Sequence, residues 1–153
     1  MPFHGNSRQG SEGHAKPAKA IALIAHDAKK AELVEWIERH QQTLRRYRLV
    51  ATRGTGALLA AELSLEVTCV ESGPQGGDQQ IGAMIVEGKI AMVIFFTDPL
   101  TAQAHSSDVE ALLRLAVVHN VPMAQNPSSA DLLLREPAGQ VRPAAASAHW
   151  DGR

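Results

Sequence analysis

The sequence predicts an α/β domain in which a parallel β-sheet is covered by helices on both faces. Strand-like and helix-like segments alternate five times between residues 19 and 135. The strand-like segments are short apolar runs, as in strands buried on both faces, and the helix-like segments repeat apolar residues at helical spacing. A chain of 153 residues that is 44% hydrophobic and 20% charged is long enough to bury one such core.

Apolar runs and residue spacing predict the first three strands and the helices between them. In chain order they are a strand over residues 20–25, a helix over 28–44, a strand over 47–52, a helix over 57–63 and a strand over 65–70. The first strand is an uninterrupted apolar run, and Leu33, Trp36 and Ile37 place an apolar face on the helix after it. The second strand ends in a turn of threonine and glycine, which leads into the second helix.

The second half of the chain continues this alternation. The predicted elements are a helix over residues 81–87, a strand over 90–96, a helix over 108–119, a strand over 121–124 and a helix over 132–134. A glycine-rich loop over 72–80 precedes the first of them, and Asp98-Pro99 ends the strongest strand. We expect Ser128 and Ser129 to cap the last helix.

The two ends of the chain lack this pattern. Residues 1–18 and 136–153 show no hydrophobic periodicity, and we expect them to be disordered tails around one domain over 19–135. The N-terminal segment has no apolar core of the kind that a secretory signal needs. No apolar run approaches the ~20 residues that span a bilayer.

Charge and cysteine content exclude several classes of protein. Fifteen basic and sixteen acidic residues leave a formal charge of −1, so no overall field is available to hold nucleic acid or an anionic membrane. The single cysteine, Cys69, which we expect in the core, excludes an internal disulfide framework and a cysteine-based zinc site. This cysteine usage indicates a reducing, cytoplasmic setting.

Polar and charged side chains follow the predicted strand ends, which is where ligands bind in folds of this class. The residues that this rule brings to one edge are His26, Asp27, Lys30, Thr52, Thr55, Ser72, Asp78, Asp98, His105 and Asp108. Carboxylates, imidazoles, hydroxyls and an amine therefore converge from four strand ends. That convergence is more informative than any single residue among them.

The turns of threonine, serine and glycine at 52–56 and 72–77 suit a small anion such as phosphate. Glycine lets the backbone approach an anion, hydroxyls donate hydrogen bonds, and the following helix offers free N–H groups. Lys30, one turn into the first helix, would add a full charge. The sequence contains neither GxGxxG nor GxxxxGK[ST], so a dinucleotide or P-loop triphosphate site is not indicated. The alternative is that these are only sharp strand-to-helix connections.

The individual charged residues have structural alternatives too. Asp78 and Asp108 are each placed to cap a helix, and Asp98 to end a strand. A single histidine is more often a hydrogen-bonded polar residue than a catalyst. No pair of histidines has a recognised metal-ligand spacing, so we predict no metal site.

Several strings, taken together, resemble the methylglyoxal synthase family over roughly residues 20–135. They are IALIAHD at 21–27 with Lys30, the AT turn at 51–52, SGPQGGDQQ at 72–80, IFFTDPL at 94–100, and His105 with Asp108 and ALLRLA at 111–116. SGPQGGDQQ and FFTDPL are specific strings, and the order and spacing of the whole set fit the family.

The resemblance implies a three-layer, five-stranded Rossmann-like α/β/α domain, a homohexamer, and the cofactor-free conversion of dihydroxyacetone phosphate to methylglyoxal and inorganic phosphate. It implies Asp78 as the catalytic base, with His105 and Asp108 as catalytic partners. Around the substrate and its phosphate it places His26, Lys30, Thr52, Arg53, Gly54, Thr55, Ser72, Gly73 and His105, with Asp27 and Asp98 in support. Inorganic phosphate, as product, is expected to inhibit from the same cradle.

The residues agree with this chemistry. Removing a proton next to a ketone needs a positioned carboxylate, which Asp78 supplies, and a donor for the enediolate oxygen, which is His105 or His26. Expelling phosphate then requires the C–O bond to stand perpendicular to the enediolate plane. The phosphate cradle must enforce that torsion, so it decides the product as well as the affinity.

The chain departs from the family pattern at two places. Where the family usually has Thr-Gly-Thr-Thr-Gly, this chain has Thr52-Arg53-Gly54-Thr55-Gly56, so a hydroxyl is lost and a guanidinium is gained. We favour an Arg53 side chain that faces solvent; the alternative is that it turns inward and its guanidinium donates to phosphate oxygens. The family's basic residue near the C-terminus is not matched, and Arg142 and Arg153 are the conceivable substitutes.

The rival hypothesis is a non-catalytic domain of the same fold that binds a phosphate effector. Such a domain would keep the cradle and catalyse nothing. The retained Asp78, His105 and Asp108 argue against it, because a pure binding domain has no need of a base.

Overall fold

A computed structural model describes residues 19–135, so the predicted tails over 1–18 and 136–153, with Arg142 and Arg153, lie outside the described residues. In chain order the elements are β1 (Ala20–Ala25), α1 (Lys30–Arg39), α2 (Gln41–Leu44), β2 (Arg48–Thr52), α3 (Arg53–Leu63), β3 (Thr68–Val70), α4 (Gly77–Val86), β4 (Ile90–Phe96), α5 (Ser106–Val118), β5 (Met123–Ala124) and α6 (Pro127–Arg135). Short 3₁₀ turns at Asp27–Lys29 and Gly73–Gln75 precede α1 and α4.

The five strands form one parallel sheet in the order β3-β2-β1-β4-β5. The chain runs outward from β1 to β3 and then crosses to the other side of β1 to form β4. The strand order therefore reverses between β1 and β4, and in sheets of this kind ligands bind near such a reversal, outside the carboxyl ends of the strands.

Two apolar cores lie on the two faces of the sheet. Successive β1 side chains alternate between them, with Ile21 and Leu23 in one core and Ala22 and Ile24 in the other. The first core includes residues of α1, α2, α3 and α6, and the second includes residues of α4 and α5. This arrangement confirms the predicted three-layer α/β/α Rossmann-like fold, because buried strands need helices on both faces.

Two helices begin four residues earlier than the sequence predicts. The prediction started them at residues 57 and 81, whereas α3 begins at Arg53 and α4 at Gly77. Glycine has a low helix propensity, so glycine-rich helix starts look like loops in the sequence. The shift matters for the site, because it places Asp78 inside the first turn of α4.

Other expectations about single elements are wrong. The helix over 28–44 is interrupted at His40, which ends α1 before α2 begins. The α6 cap is Asn126, whose Oδ1 accepts the backbone N–H of Ser129 at 2.9 Å, in place of Ser128 or Ser129. Cys69 is exposed and does not lie in the core, because β3 is an edge strand of the sheet.

Candidate active site

A cavity of about 380 Å³ opens at the carboxyl edge of the sheet, beside the ends of β1, β2 and β3. Its lining residues are Ile24, Ala25, His26, Asp27, Lys30, Thr52, Gly54, Ser72, Gly73, Pro74, Asp78, Gln103, Ala104 and His105. Of the thirteen site residues expected from the sequence, nine line the cavity and four do not. The strand-end rule therefore led to one shared cavity rather than to scattered positions.

A larger groove, of about 550 Å³, lies at the opposite edge of the sheet among the first residues of β1, β2 and β3. Its charged lining residues are Arg48, Glu66 and Lys89, and none of its lining residues is a histidine. The two histidines and the buried carboxylate of Asp78 lie in the smaller cavity. Chemistry rather than volume identifies the candidate site.

The cavity end beside β2 is suited to an anion. Thr52 is the last residue of β2 and α3 follows directly, so the unpaired N–H groups of the first turn of α3 lie at this end. A Cβ on Gly54 would lie 2.7 Å from Lys30 Nζ, so the ammonium stands over the same helix end. The ammonium charge and the helix N-terminus therefore both favour an anion at this end of the cavity.

Asp27 holds the ammonium of Lys30. Lys30 Nζ donates to Asp27 Oδ1 at 2.6 Å, and this hydrogen bond lowers the pKa of Asp27 below its ordinary value. Asp27 is therefore ionised at neutral pH and keeps the lysine side chain at the cavity wall.

Asp78 is the second residue of α4 and is 1% exposed. Its Oδ2 lies 2.5 Å from Nδ1 of His105, and because a carboxylate only accepts hydrogen bonds, the imidazole is the donor. Its Oδ1 is buried without a hydrogen-bond partner among the residues the structure describes. A buried, unpartnered carboxylate oxygen in a cavity wall is free to accept a proton from a bound molecule.

Two glycines bring the chain to Asp78. Gly76 has φ 105°, a left-handed conformation that favours glycine. A Cβ on Gly77 would lie 2.0 Å from the carbonyl oxygen of Glu71, so no larger residue fits there. The helix that carries Asp78 therefore begins in close contact with the end of β3.

His26 is held in a single protonation state. The backbone N–H of Asp98 donates to His26 Nδ1 at 2.8 Å, so Nδ1 carries no proton and the ring proton is on Nε2. Burial lowers the pKa of His26, and the nearby His105 lowers it further. Nε2 is buried without a partner among the described residues. His26 therefore offers the cavity a neutral imidazole with a free N–H donor.

His105 lies against both Asp78 and Gly73. A Cβ on Gly73 would lie 2.8 Å from Cε1 of its ring. The centre of the ring is 5.6 Å from that of His26, at a steep interplanar angle of 80°. Gly73 is therefore needed to leave room for the imidazole that contacts Asp78.

Four predicted site residues do not line the cavity. Arg53 donates to Glu71 Oε1 at 2.6 Å, and its side chain is 67% exposed. Asp98 Oδ1 accepts the N–H of Leu100, and Asp108 Oδ1 accepts Gln79 Nε2 at 3.1 Å. Thr55, in the first turn of α3, is buried with its Oγ1 unpartnered among the described residues.

Some residues at the site are not predicted from the sequence. Gln79 and Gln80 follow Asp78 on α4 and hydrogen-bond to Asp108 and to the N–H of Glu71, respectively. Both glutamines stand in the quoted string at 72–80, so that string already contained the signal. Gln103 and Ala104 line the cavity from the segment before α5. Nothing in the sequence marked those two.

Within residues 19–135, no three His, Cys, Asp or Glu side chains are arranged to hold a metal ion. None of the helices in this part of the chain is long and apolar enough to cross a bilayer.

Comparisons with known proteins agree on one family. A family profile described as "MGS-like domain" matches residues 32–125. A methylglyoxal synthase of Clostridium botulinum is 53% identical over 116 residues, which cover 76% of this chain and 98% of the relative. A methylglyoxal synthase of Coxiella burnetii is 55% identical over 119 residues, which cover 78% of this chain and 83% of the relative.

A solved structure is similar to the fold as well as to the sequence. It is the crystal structure of methylglyoxal synthase from Elizabethkingia anophelis, with a TM-score of 0.74 and 51% identity. The match covers 78% of this chain and 78% of that chain.

Proposed function

This chain belongs to the methylglyoxal synthase family, and on that premise we propose how its residues convert dihydroxyacetone phosphate to methylglyoxal and inorganic phosphate. The proposal rests on two buried atoms of the cavity lining that have no hydrogen-bond partner among the described residues. These atoms are Asp78 Oδ1, an acceptor, and His26 Nε2, a donor. Removal of a proton beside a ketone needs one of each.

The phosphate of the substrate binds at the β2 end of the cavity. Lys30 and the first turn of α3 supply positive charge, and Thr52 and Ser72 supply hydroxyl groups among the lining residues. Held there, the phosphate leaves the carbonyl and hydroxymethyl carbons of the substrate in the part of the cavity lined by Asp78 and the two histidines.

Asp78 Oδ1 takes a proton from the hydroxymethyl carbon. His105 donates to the other carboxylate oxygen, and this bond orients the carboxylate for the transfer. The electron pair of the broken C–H bond forms the C–C double bond of the enediolate. Asp108 acts at a distance, because its carboxylate holds Gln79, the residue next to the base.

His26 stabilises the oxygen on which negative charge develops. Its Nε2–H donates to the substrate carbonyl oxygen as that oxygen becomes an enediolate. A neutral imidazole is suited to this role because its N–H forms a hydrogen bond to the developing oxyanion without full transfer of the proton. The Asp98 N–H bond to Nδ1 keeps the donor proton on the nitrogen that has no other partner. This geometry favours His26 over His105 as the donor, a choice that the sequence left open.

Elimination completes the reaction. The terminal hydroxyl of the enediolate gives up its proton and becomes the aldehyde carbonyl, while the C–C double bond shifts toward the carbon that bears phosphate. The C–O bond to phosphate breaks, so that phosphate leaves with that electron pair and takes the hydroxyl proton. The resulting enolate takes up on its CH₂ carbon the proton that Asp78 removed, which gives methylglyoxal and restores the carboxylate. Lys30 and the α3 helix end stabilise the departing dianion. By holding the phosphate they also keep the C–O bond perpendicular to the enediolate plane, as elimination requires. Inorganic phosphate occupies the same cradle after the reaction and competes there with substrate.

A non-catalytic effector-binding domain is the alternative function, and the buried Asp78 disfavours it. Burying a carboxylate with an unpartnered oxygen near a phosphate site costs free energy. A domain that only binds an anion has no function for such a proton acceptor that would offset this cost.

The test is methylglyoxal formation by purified protein from dihydroxyacetone phosphate. Asp78→Asn keeps the shape and an acceptor for His105 but removes the basicity, so we expect kcat to fall by at least ~10²-fold with the fold intact. Far-ultraviolet circular dichroism and the melting temperature control for folding. Near-normal turnover in a folded Asp78→Asn protein would reject the assignment of the base.

We also propose a homohexamer in the cytoplasm. Exposed apolar side chains support self-association, foremost Leu100 and Val117, which are 94% and 82% exposed in the single chain. An exposed free thiol at Cys69 supports a reducing compartment. Fractionation of the producing cells checks the compartment.

A further inference from the structure

We infer that Glu71 is a positioning residue that ties the phosphate-binding end of α3 to the helix that carries Asp78. The inference rests on the function proposed above. Glu71 follows β3 directly and precedes Ser72 and Gly73 of the cavity wall. Its carboxylate, its N–H and its carbonyl each contact a segment that contributes to the site.

The carboxylate of Glu71 contacts α3. Arg53, the first residue of α3, donates from Nη2 to Glu71 Oε1 at 2.6 Å. Arg53 lies between Thr52 and Gly54, which both line the cavity, while its own side chain does not. The guanidinium is therefore committed to Glu71 and is not part of the anion-binding surface.

The backbone of Glu71 contacts α4. Its N–H donates to Gln80 Oε1 at 2.7 Å, and its carbonyl oxygen lies 2.0 Å from where a Cβ on Gly77 would be. Gly77 and Gln80 stand on either side of Asp78 in the first turn of α4. One residue thus contacts the helix start that binds phosphate and the helix start that carries the base.

This link bears on the rate because the reaction fixes both ends of one small substrate. The cradle sets the torsion of the C–O bond while Asp78 reaches the carbon at the other end. A shift of α3 relative to α4 changes both the torsion of the C–O bond and the distance from Asp78 to the carbon. Small misplacements of reacting groups lower the rate by large factors. The pair itself is exposed, at 67% and 42% for the two side chains, so its contribution to folding stability is small.

A competing account predicts the opposite sign. If Arg53 were an anion-binding group held idle by Glu71, Glu71→Ala would release it and inorganic phosphate would bind more tightly. If Glu71 positions the two helix starts, Glu71→Ala lowers kcat and does not tighten phosphate binding.

The experiment compares Glu71→Ala, Arg53→Ala, the double variant and the charge swap Arg53→Glu with Glu71→Arg. We expect each single change to lower kcat by roughly threefold to tenfold, below the ~10²-fold that a 1 Å misplacement can cost. KM changes by less than about twofold, because Lys30 and the helix end remain. The double variant loses no more than a single one, since both remove the same contact, and the swap restores most of kcat.

Glu87→Ala is the matched control, because it breaks an exposed pair with Lys89, at 2.5 Å, outside the site. Its kcat and melting temperature set the baseline for a merely structural effect. Tighter phosphate binding by Glu71→Ala overturns the inference, as does a kcat equal to that of Glu87→Ala in an active parent protein. An inactive parent protein contradicts the proposed function instead, so the two failures are distinguishable.

Discussion

Lys30 is the residue on which the proposed anion site depends most. Its ammonium lies over Gly54, is hydrogen-bonded to Asp27 and lines the cavity. The family pattern has a hydroxyl-bearing residue where this chain has Gly54, and the ammonium here stands 2.7 Å from the position of that missing side chain's Cβ. Gly54 therefore leaves room for the ammonium, and a charged donor binds phosphate more strongly than a hydroxyl does.

At this scale we predict that inorganic phosphate raises the melting temperature and that Lys30→Ala removes most of the rise. A ligand at 100 times its Kd stabilises by about 2.7 kcal/mol, and a hundredfold weaker Kd removes about 2.3 kcal/mol of that. Differential scanning fluorimetry against phosphate concentration measures it.

Lys29→Ala is the control for Lys30→Ala. Lys29 is the neighbouring lysine, pairs with Glu32 at 3.4 Å and does not line the cavity. An equal phosphate-induced rise in melting temperature in the two variants would show that the anion does not bind at Lys30.

At the scale of elements, one carboxylate joins the last helix to the first. Asp131 on α6 accepts Trp36 Nε1 of α1 at 2.8 Å, and His40 Nε2 lies 2.9 Å from the same oxygen. Trp36 is fully buried. Its N–H consequently has its only described partner on a helix 95 residues away along the chain. The hydrogen bond from Trp36 is also the main reason that the pKa of Asp131 is lowered.

We predict that Asp131→Leu lowers the free energy of unfolding by about 1–3 kcal/mol, because it leaves the buried Trp36 N–H without a partner. Asp131→Asn keeps an acceptor oxygen and is expected to lose less. Urea unfolding monitored by tryptophan fluorescence measures both. A loss as large in Asp131→Asn as in Asp131→Leu would show that the charge, rather than the acceptor, matters.

The lowered pKa of Asp131 also predicts a pH dependence. A carboxylate whose pKa is lower in the folded state stabilises the protein above its unfolded pKa, near 3.9, and that stability is lost as the pH falls through the folded value. The parent protein should lose this contribution in acid, while Asp131→Asn, with no titrating group there, should not.

The whole molecule presents apolar side chains that a single chain leaves exposed. They are Val86, Leu100, Val117, Val118 and Leu132. Val117 and Val118 are adjacent at the end of α5 and form the most compact pair among them. Single exposed apolar residues are ordinary, but a proposed hexamer must cover some of these.

We predict a solution mass about six times that of one chain by light scattering after gel filtration. Val117→Lys should lower that mass if the end of α5 lies in an interface, since an unpaired charge there must be buried on assembly. Val86→Lys tests whether this effect is specific to α5. A parent protein of single-chain mass at all concentrations tested would contradict the hexamer.

The sequence by itself determined the fold class and most of the site's membership. Apolar runs such as 20–25 and 90–96 are local features, and residues at the ends of parallel strands must meet at one edge of the sheet. The strings around Asp78 and His105 identified the family before any geometry was known. These signals can be recognised in the sequence because they depend on residue type and spacing alone.

Only the tertiary structure decided how those residues act on one another. The proton position on His26 depends on a backbone N–H 72 residues away, and the side-chain partner of Arg53 is a glutamate 18 residues on. Hydrogen bonds and close contacts of this kind depend on distances and angles between segments that are far apart in the chain. The free oxygen of Asp78, the ammonium over Gly54 and the link through Glu71 therefore appear only in three dimensions.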